Sequence, residues 1–182
     1  MNINKKYALI SVFDKTGLSY ICQTLAKFKI GLISTGSTAE TIKKAGFQCK
    51  LVSDLTKFKE ILDGRVKTLH PKIHASILHD RKNKNHIHTF KELSFPIIDF
   101  VIVNLYPFEK IIQTTNNVSK CIEMIDIGGS TLLRSAAKNY KFITTINNIN
   151  DYDIFIKNIS SNNGKTTLSF RKLMAQKIYE TT

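Results

Sequence analysis

Residues 99–105, Asp-Phe-Val-Ile-Val-Asn-Leu, are apolar on successive positions rather than on alternate ones. Side chains of a strand point to opposite faces in turn, so a strand of this kind must be covered on both sides. That requirement selects a parallel sheet clad with helices and argues against a half-solvated antiparallel one. Tyr7–Val12 and Ile30–Ser34 show the same pattern, and Cys49–Val52 and Lys141–Ile146 read as further strands. Between them, Leu18, Ile21, Cys22, Leu25 and Ala26 recur at helical spacing. Residues 39–45 read as a short helix ended by Gly46, and residues 128–138, 151–159 and 166–179 as three more. Strands alternating with helices give an α/β architecture with a mainly parallel sheet. The polar run 80–92 is too hydrophilic for core and reads as an exposed loop or a helical excursion.

The chain has 182 residues, no internal repeat and no composition break, so residues 1–182 are read as one domain. Lys and Arg number 27 against 14 acids, a net charge of +13. This excess suits anionic partners. The lysines are spread along the chain, however, and no basic motif interleaved with aromatics marks a nucleic-acid binder, so none is expected. Cys22, Cys49 and Cys121 are odd in number and lack metal-ligand spacing, and the first two sit among apolar residues. Buried thiols in a reducing compartment fit them. The apolar run Ala8–Ile10 is too short for a signal peptide and nothing resembles a membrane span, so a cytoplasmic location is expected.

The segment Gly64-Arg65-Val66-Lys67-Thr68-Leu69-His70-Pro71-Lys72-Ile73-His74 concentrates cations, imidazoles and a hydroxyl in eleven residues. Gly64 and Pro71 argue for a loop or irregular segment, where sites are commonly built. Its donors suit an anionic, oxygen-rich small molecule. His70 and His74 have i, i+4 spacing, but Pro71 lies between them and no carboxylate motif accompanies them, so no metal is expected.

In open α/β sheets ligands bind at the carboxyl ends of strands. Three strand ends carry suitable groups: Ser11–Gly17 with Lys15, Ser34-Thr35-Gly36-Ser37-Thr38, and Asp126-Ile127-Gly128-Gly129-Ser130-Thr131. In the second, Gly36 allows close backbone approach and the helix N-terminus offers free N–H groups. Asp126 is also a good helix cap. Asn104-Leu105-Tyr106-Pro107 adds an amide and a phenol at the end of the clearest strand. Arg134 and Lys138, four residues apart, share a helix face.

Taken in order, Ser11-Val12, Asp14-Lys15-Thr16-Gly17, Ser34-Thr35-Gly36, Asp63–Lys72, Val103-Asn104-Leu105-Tyr106-Pro107-Phe108, Asp126–Gly129 and Ala136-Ala137-Lys138-Asn139 resemble the inosine monophosphate (IMP) cyclohydrolase domains of bifunctional purine biosynthesis enzymes. The resemblance implies the methylglyoxal-synthase-like fold, a three-layer Rossmann-like sandwich. It implies closure of the second purine ring: 5-formamidoimidazole-4-carboxamide ribotide becomes IMP with loss of water. No cofactor and no metal is implied for this step. A purine ribotide would be the small-molecule partner, contacting Asp14, Lys15, Ser34, Thr35, Gly36, Ser37, Arg65, Val66, Lys67, Thr68, Val103, Asn104, Asp126, Ile127 and Gly128. The family's catalytic groups would fall on Lys67, Tyr106, Asp126 and Lys138. On this reading Lys138 transfers protons, Lys67 stabilises the oxyanion, Tyr106 and Asp126 complete a relay, and the 5′-phosphate sits at Ser34–Ser37. Lys67 and Lys138 would then share one cavity.

Four positions depart from the family pattern. Phe13 stands where a small polar residue is usual, Ser37 replaces a second glycine, and Met124 and Ser130 replace Asn and Pro. The family's usual C-terminal formyltransferase domain is expected to be absent from a chain of this length. A homodimer or a separate formyltransferase would then be the macromolecular partner. A non-catalytic nucleotide-binding module of the same fold would use the phosphate turn without Lys67, Tyr106 and Lys138. A methylglyoxal synthase on this fold would use acidic groups rather than the long Arg-Val-Lys-Thr-Leu-His-Pro segment.

Overall fold

The computed structural model describes residues 5–106 and 108–182. Pro107 of the Asn-Leu-Tyr-Pro-Phe motif and residues 1–4 lie outside the described residues. Five strands, β1 (Lys6–Val12), β2 (Gly31–Ser34), β3 (Cys49–Leu51), β4 (Ile97–Asn104) and β5 (Thr144–Ile146), form one sheet in the order β3-β2-β1-β4-β5. Every pairing is parallel. The helices are α1 (Leu18–Lys27), α2 (Gly36–Lys44), α3 (Val52–Thr56), α4 (Pro71–Leu78), α5 (Lys84–Glu92), α6 (Phe108–Thr114), α7 (Val118–Glu123), α8 (Ile127–Lys138), α9 (Tyr152–Ser161) and α10 (Leu168–Thr181).

The alternation of β1 distributes its side chains between two cores. Ala8, Ile10 and Val12 face Leu18, Ile21, Cys22 and Leu25 of α1, Ile42 of α2 and Phe155 and Ile159 of α9. Tyr7 and Leu9 face Val52 and Leu55 of α3, Ile73 and Ile77 of α4 and Leu132, Leu133, Ala136 and Ala137 of α8. Each fully buried Ile or Leu here contributes about 1.5–3 kcal/mol relative to exposure. On the first face Phe100 meets Phe155 edge-on, ring centroids 5.8 Å apart. The result is the expected sandwich of helices, parallel sheet and helices. The register of β1 against β4 slips between Tyr7 and Ala8, leaving Asp99 as an extra residue. Its buried carboxylate is held by Lys6 and Arg81, both at 2.7 Å.

Some boundaries differ from expectation. The strand expected over Lys141–Ile146 is confined to Thr144–Ile146, because residues 139–143 keep turning after α8. Phe142 and Ile143 donate to the Asn139 carbonyl, and the Asn139 side chain donates to the carbonyls of Ile77 and His79. The segment 64–74 is not irregular throughout. Pro71 opens α4 at a position where its missing N–H costs nothing, and the His70 ring caps the helix by accepting from the Lys72 amide at 3.1 Å. The polar run 80–92 holds α5, which buries no residue and is capped by Asn83. Cys22 is buried and burial pushes its thiol up to about 12; half-buried Cys49 is pushed up to about 11. No helix among the described residues is long and apolar enough to cross a membrane.

Candidate functional site

The chain leaves β1 toward β2 and later returns to β4 on the other side of β1. The carboxyl ends of β1 and β4 therefore flank a topological switch point, where a crevice opens in such sheets. A cavity of about 560 Å³ lies there. Its wall comes from four segments: the β1–α1 junction, the β2–α2 junction, residues 63–68, and the stretch from Asn104 to the start of α8.

Asn104 ends β4 opposite Val12 of β1. Its Oδ1 accepts from the backbone N–H of Phe13 at 2.6 Å and of Asp14 at 2.9 Å, and its Nδ2 donates to the Asp14 carbonyl at 2.8 Å. The amide thus fastens the β1–α1 loop to the neighbouring strand. The Asp14 carboxylate accepts from the Thr16 amide at 2.8 Å, shaping the same loop. Lys15 sits over the end of β1, donating to the carbonyls of Val12 and Phe13 at 3.2 and 3.1 Å.

At the β2–α2 junction the hydroxyls divide their work. Ser34 is buried and donates to the Ile10 carbonyl at 2.6 Å. Thr38 donates to the Val12 carbonyl at 2.9 Å. Thr35 occupies the cap position of α2, yet its side chain makes no capping hydrogen bond. Gly36 has φ +45, and a side chain there would meet no atom within 4 Å, so the backbone is open to the cavity. The first turn of α2 has free N–H groups and the positive end of its dipole there.

Residues 61–66 make a tight hairpin closed by hydrogen bonds between Ile61 and Val66. Leu62, Asp63 and Gly64 are successively left-handed, at φ 54, 53 and 86. Such geometry costs non-glycine residues about 1–2 kcal/mol each, and strain of this sort collects at functional sites. The hairpin delivers Arg65 and Lys67 to the cavity. Arg65 forms an ion pair with Glu123 at the end of α7, spanning two walls. Among the described residues, neither Lys15 nor Lys67 lies within ion-pair distance of a carboxylate.

On the remaining wall, Tyr106 leans on Phe13, centroids 4.9 Å apart and planes tilted by 49°. Asp126 caps α8 by accepting from the Gly129 amide at 2.6 Å. The paired glycines serve this cap and the packing around it. A Cβ on Gly129 would stand 2.4 Å from Asp126 Oδ2 and 2.7 Å from Leu105, and one on Gly128 2.9 Å from Thr68 Oγ1.

Of the residues expected at the site, Lys15, Thr35, Gly36, Ser37, Arg65, Lys67, Thr68, Asn104, Tyr106, Asp126, Ile127 and Gly128 line the cavity. Asp14, Ser34, Val66 and Val103 do not. Their side chains or backbones are committed to the loop turn, the β1–β2 cross-link, the hairpin and the core respectively. Lys138 is also elsewhere. It ends α8, whose first residue reaches the cavity, and eleven residues at 1.5 Å rise put it roughly 16 Å further along the axis. The expected sharing of one cavity by Lys67 and Lys138 is therefore not met within one chain. Arg134, on the same face, is instead stacked over the Tyr179 ring of α10 at 5.3 Å. Glu123 is a cavity residue that sequence reasoning missed; only its charge, three residues before Asp126, could have signalled it.

The MGS-like domain family matches residues 17–131, and the AICARFT/IMPCHase bienzyme family matches residues 136–182. The bifunctional purine biosynthesis protein PurH of Chlorobium chlorochromatii is 44% identical over 178 residues, covering 97% of this chain and 34% of its own length. That of Caldicellulosiruptor bescii is 46% identical over 178 residues, with the same coverage. The chain spans about a third of the length of these curated relatives. The crystal structure of ForH superimposes with a TM-score of 0.85 at 25% identity, covering 97% of this chain and 93% of that one.

Proposed function

Because the chain belongs to the MGS-like domain family and is similar to PurH proteins over nearly its whole length, we propose that it is a purine-biosynthesis enzyme that closes the second purine ring, an IMP cyclohydrolase. The observation that carries this reading is the convergence at one switch-point cavity of a phosphate-type helix N-terminus, two lysines that have no carboxylate partner among the described residues, a phenol and a carboxylate. A volume of about 560 Å³ suits one ribotide.

In this mechanism the 5′-phosphate of the formylated ribotide binds the Thr35–Ser37 turn, with the Thr35 hydroxyl and the α2 amides as donors. Lys15 swings from the carbonyls it now covers to the phosphate. The substrate's carboxamide nitrogen attacks its own formyl carbon, forming the C–N bond. Holding the two groups face to face can remove about 7–11 kcal/mol of barrier. Negative charge gathers on the formyl oxygen, and Lys67 stabilises it, a contribution of about 3–4 kcal/mol for a well-placed donor. The oxygen then leaves as water, taking one proton from the carboxamide and one from the formamide nitrogen. Tyr106 and Asp126 relay these protons, and Asp126 keeps its second oxygen for this while the first caps α8. Lys138 has no part in the chemistry of a single chain.

A non-catalytic nucleotide-binding reading is favoured by that distance of Lys138 from the cavity. One assay separates the two. The purified chain is mixed with the formylated ribotide without folate, and IMP is followed by absorbance. Turnover that falls about 10²–10³-fold in Lys67→Ala and is retained in Lys138→Ala supports the enzyme. IMP binding with no turnover by the wild-type chain refutes it in favour of the non-catalytic module.

A further inference from the structure

Phe13 follows β1 directly, lines the cavity and is 48% exposed. The ring is half open to water, and the backbone that carries it is fixed. Its backbone N–H is directed at both the side-chain and the main-chain oxygen of Asn104, at 2.6 and 3.4 Å. Tyr106, itself 38% exposed, leans against it at 4.9 Å without covering it. The two rings make a continuous aromatic wall at the ends of the adjacent strands β1 and β4. Three further apolar side chains of the cavity, Ile122, Ile125 and Ile127, come from a different segment, the end of α7 and the start of α8, and are each more than half exposed. The cavity therefore joins an anion-binding turn to an apolar slot with an aromatic side.

We propose that Phe13 is a specificity-determining residue: it contacts the planar heteroaromatic ring of the ligand and makes the site select ring-bearing ribotides over simple sugar phosphates. The phosphate turn alone cannot make that choice, since both ligand classes carry the same phosphate. A ring stacked on an aromatic gains interaction energy over its whole face, which a sugar phosphate cannot collect. This assignment rests on the reading of the cavity as a purine ribotide site and adds the contact that recognises the base.

The test is calorimetric titration of wild-type, Phe13→Ser, Phe13→Leu and Phe13→Tyr chains with IMP and with ribose 5-phosphate. Both Phe13→Ser and Phe13→Leu should bind IMP about tenfold more weakly, as loss of a stacking aromatic commonly does. Ribose 5-phosphate affinity should be unchanged in both, and Phe13→Tyr should restore IMP binding to within about twofold of wild type. If either variant fails to fold, as judged by thermal melting, the other carries the comparison, and failure of both overturns the assignment. Equal losses for both ligands, or no loss for IMP, also overturn it. Turnover of the wild type is measured separately. Phe13-dependent IMP selectivity without turnover leaves the ring contact standing and removes the catalytic reading. Turnover with IMP affinity indifferent to Phe13 does the reverse.

Discussion

Replacing Asn104 with alanine should loosen the whole front of the cavity, although the side chain belongs to a strand end. The amide makes three hydrogen bonds, two from the backbone N–H groups of Phe13 and Asp14 and one to the Asp14 carbonyl. A net value of about 1 kcal/mol for each gives roughly 3 kcal/mol, and access of water to the loop reduces this to about 2 kcal/mol. Urea unfolding of Asn104→Ala should show a loss of that size with an unchanged m-value. Amide hydrogen exchange gives the sharper readout. Phe13 and Asp14 should lose protection in the variant while the interior of β4 keeps it, which the loss of a mere ligand contact would not produce. Asn104→Asp keeps the oxygen that accepts from both N–H groups, loses the donor and sets an anion beside the phosphate turn. It should therefore lose less stability than the alanine variant but bind a ribotide more weakly. A stability change below about 0.5 kcal/mol in Asn104→Ala, with Phe13 and Asp14 still protected, would refute the fastening role assigned to the amide.

Two further outcomes follow from the packing and the titratable groups. Gly129→Ala places a methyl group against the Asp126 carboxylate and Leu105; overpacking and a lost cap should cost about 2–3 kcal/mol by thermal or urea unfolding, whereas Gly36→Ala, which meets nothing and suffers only its positive φ, should cost about 1 kcal/mol. Burial holds both His74 and His79 below the ordinary imidazole value, while Arg81 and His86 press His79 further down. His74 faces Ser135 of α8 at 3.1 Å, and His79 stacks on Phe90 at 4.0 Å. Between the lowered folded values and about 6.5 the unfolded chain binds more protons, so stability rises with pH there and is lost as pH falls. Urea midpoints should drop between pH 7.5 and 5.5, and a His74→Gln/His79→Gln chain should show a flatter profile; equal midpoints for the wild type would contradict this.

Much of this molecule was legible in the chain. Successive apolar residues at 7–12, 30–34 and 99–105 could be buried only in a two-faced parallel sheet, and helical spacing between them supplied the covering layers. The hydroxyl-rich turn at Thr35–Ser37 and the cationic segment around Arg65 and Lys67 were recognisable because each depends on a short local sequence. Helices α3, α4, α6 and α7 were missed. Pro71 looks like a breaker until it is known to start a helix, and α7 buries no residue, so its sequence carries little core signal. The tertiary structure decided which polar groups are free. Ser34 and Asp14 look like ligand contacts in the sequence, but once the strands are aligned Ser34 donates to Ile10 and Asp14 accepts from Thr16, whereas Asn104 both lines the cavity and fastens the β1–α1 loop. It also separated Lys138 from Lys67. A helix carries its last residue away from its first at 1.5 Å per residue, so Lys138 stands roughly 16 Å from the end of α8 that reaches the cavity. Local sequence determines what a residue can do; the register of β1 against β4 and the direction of α8 determine whether it does so at the cavity.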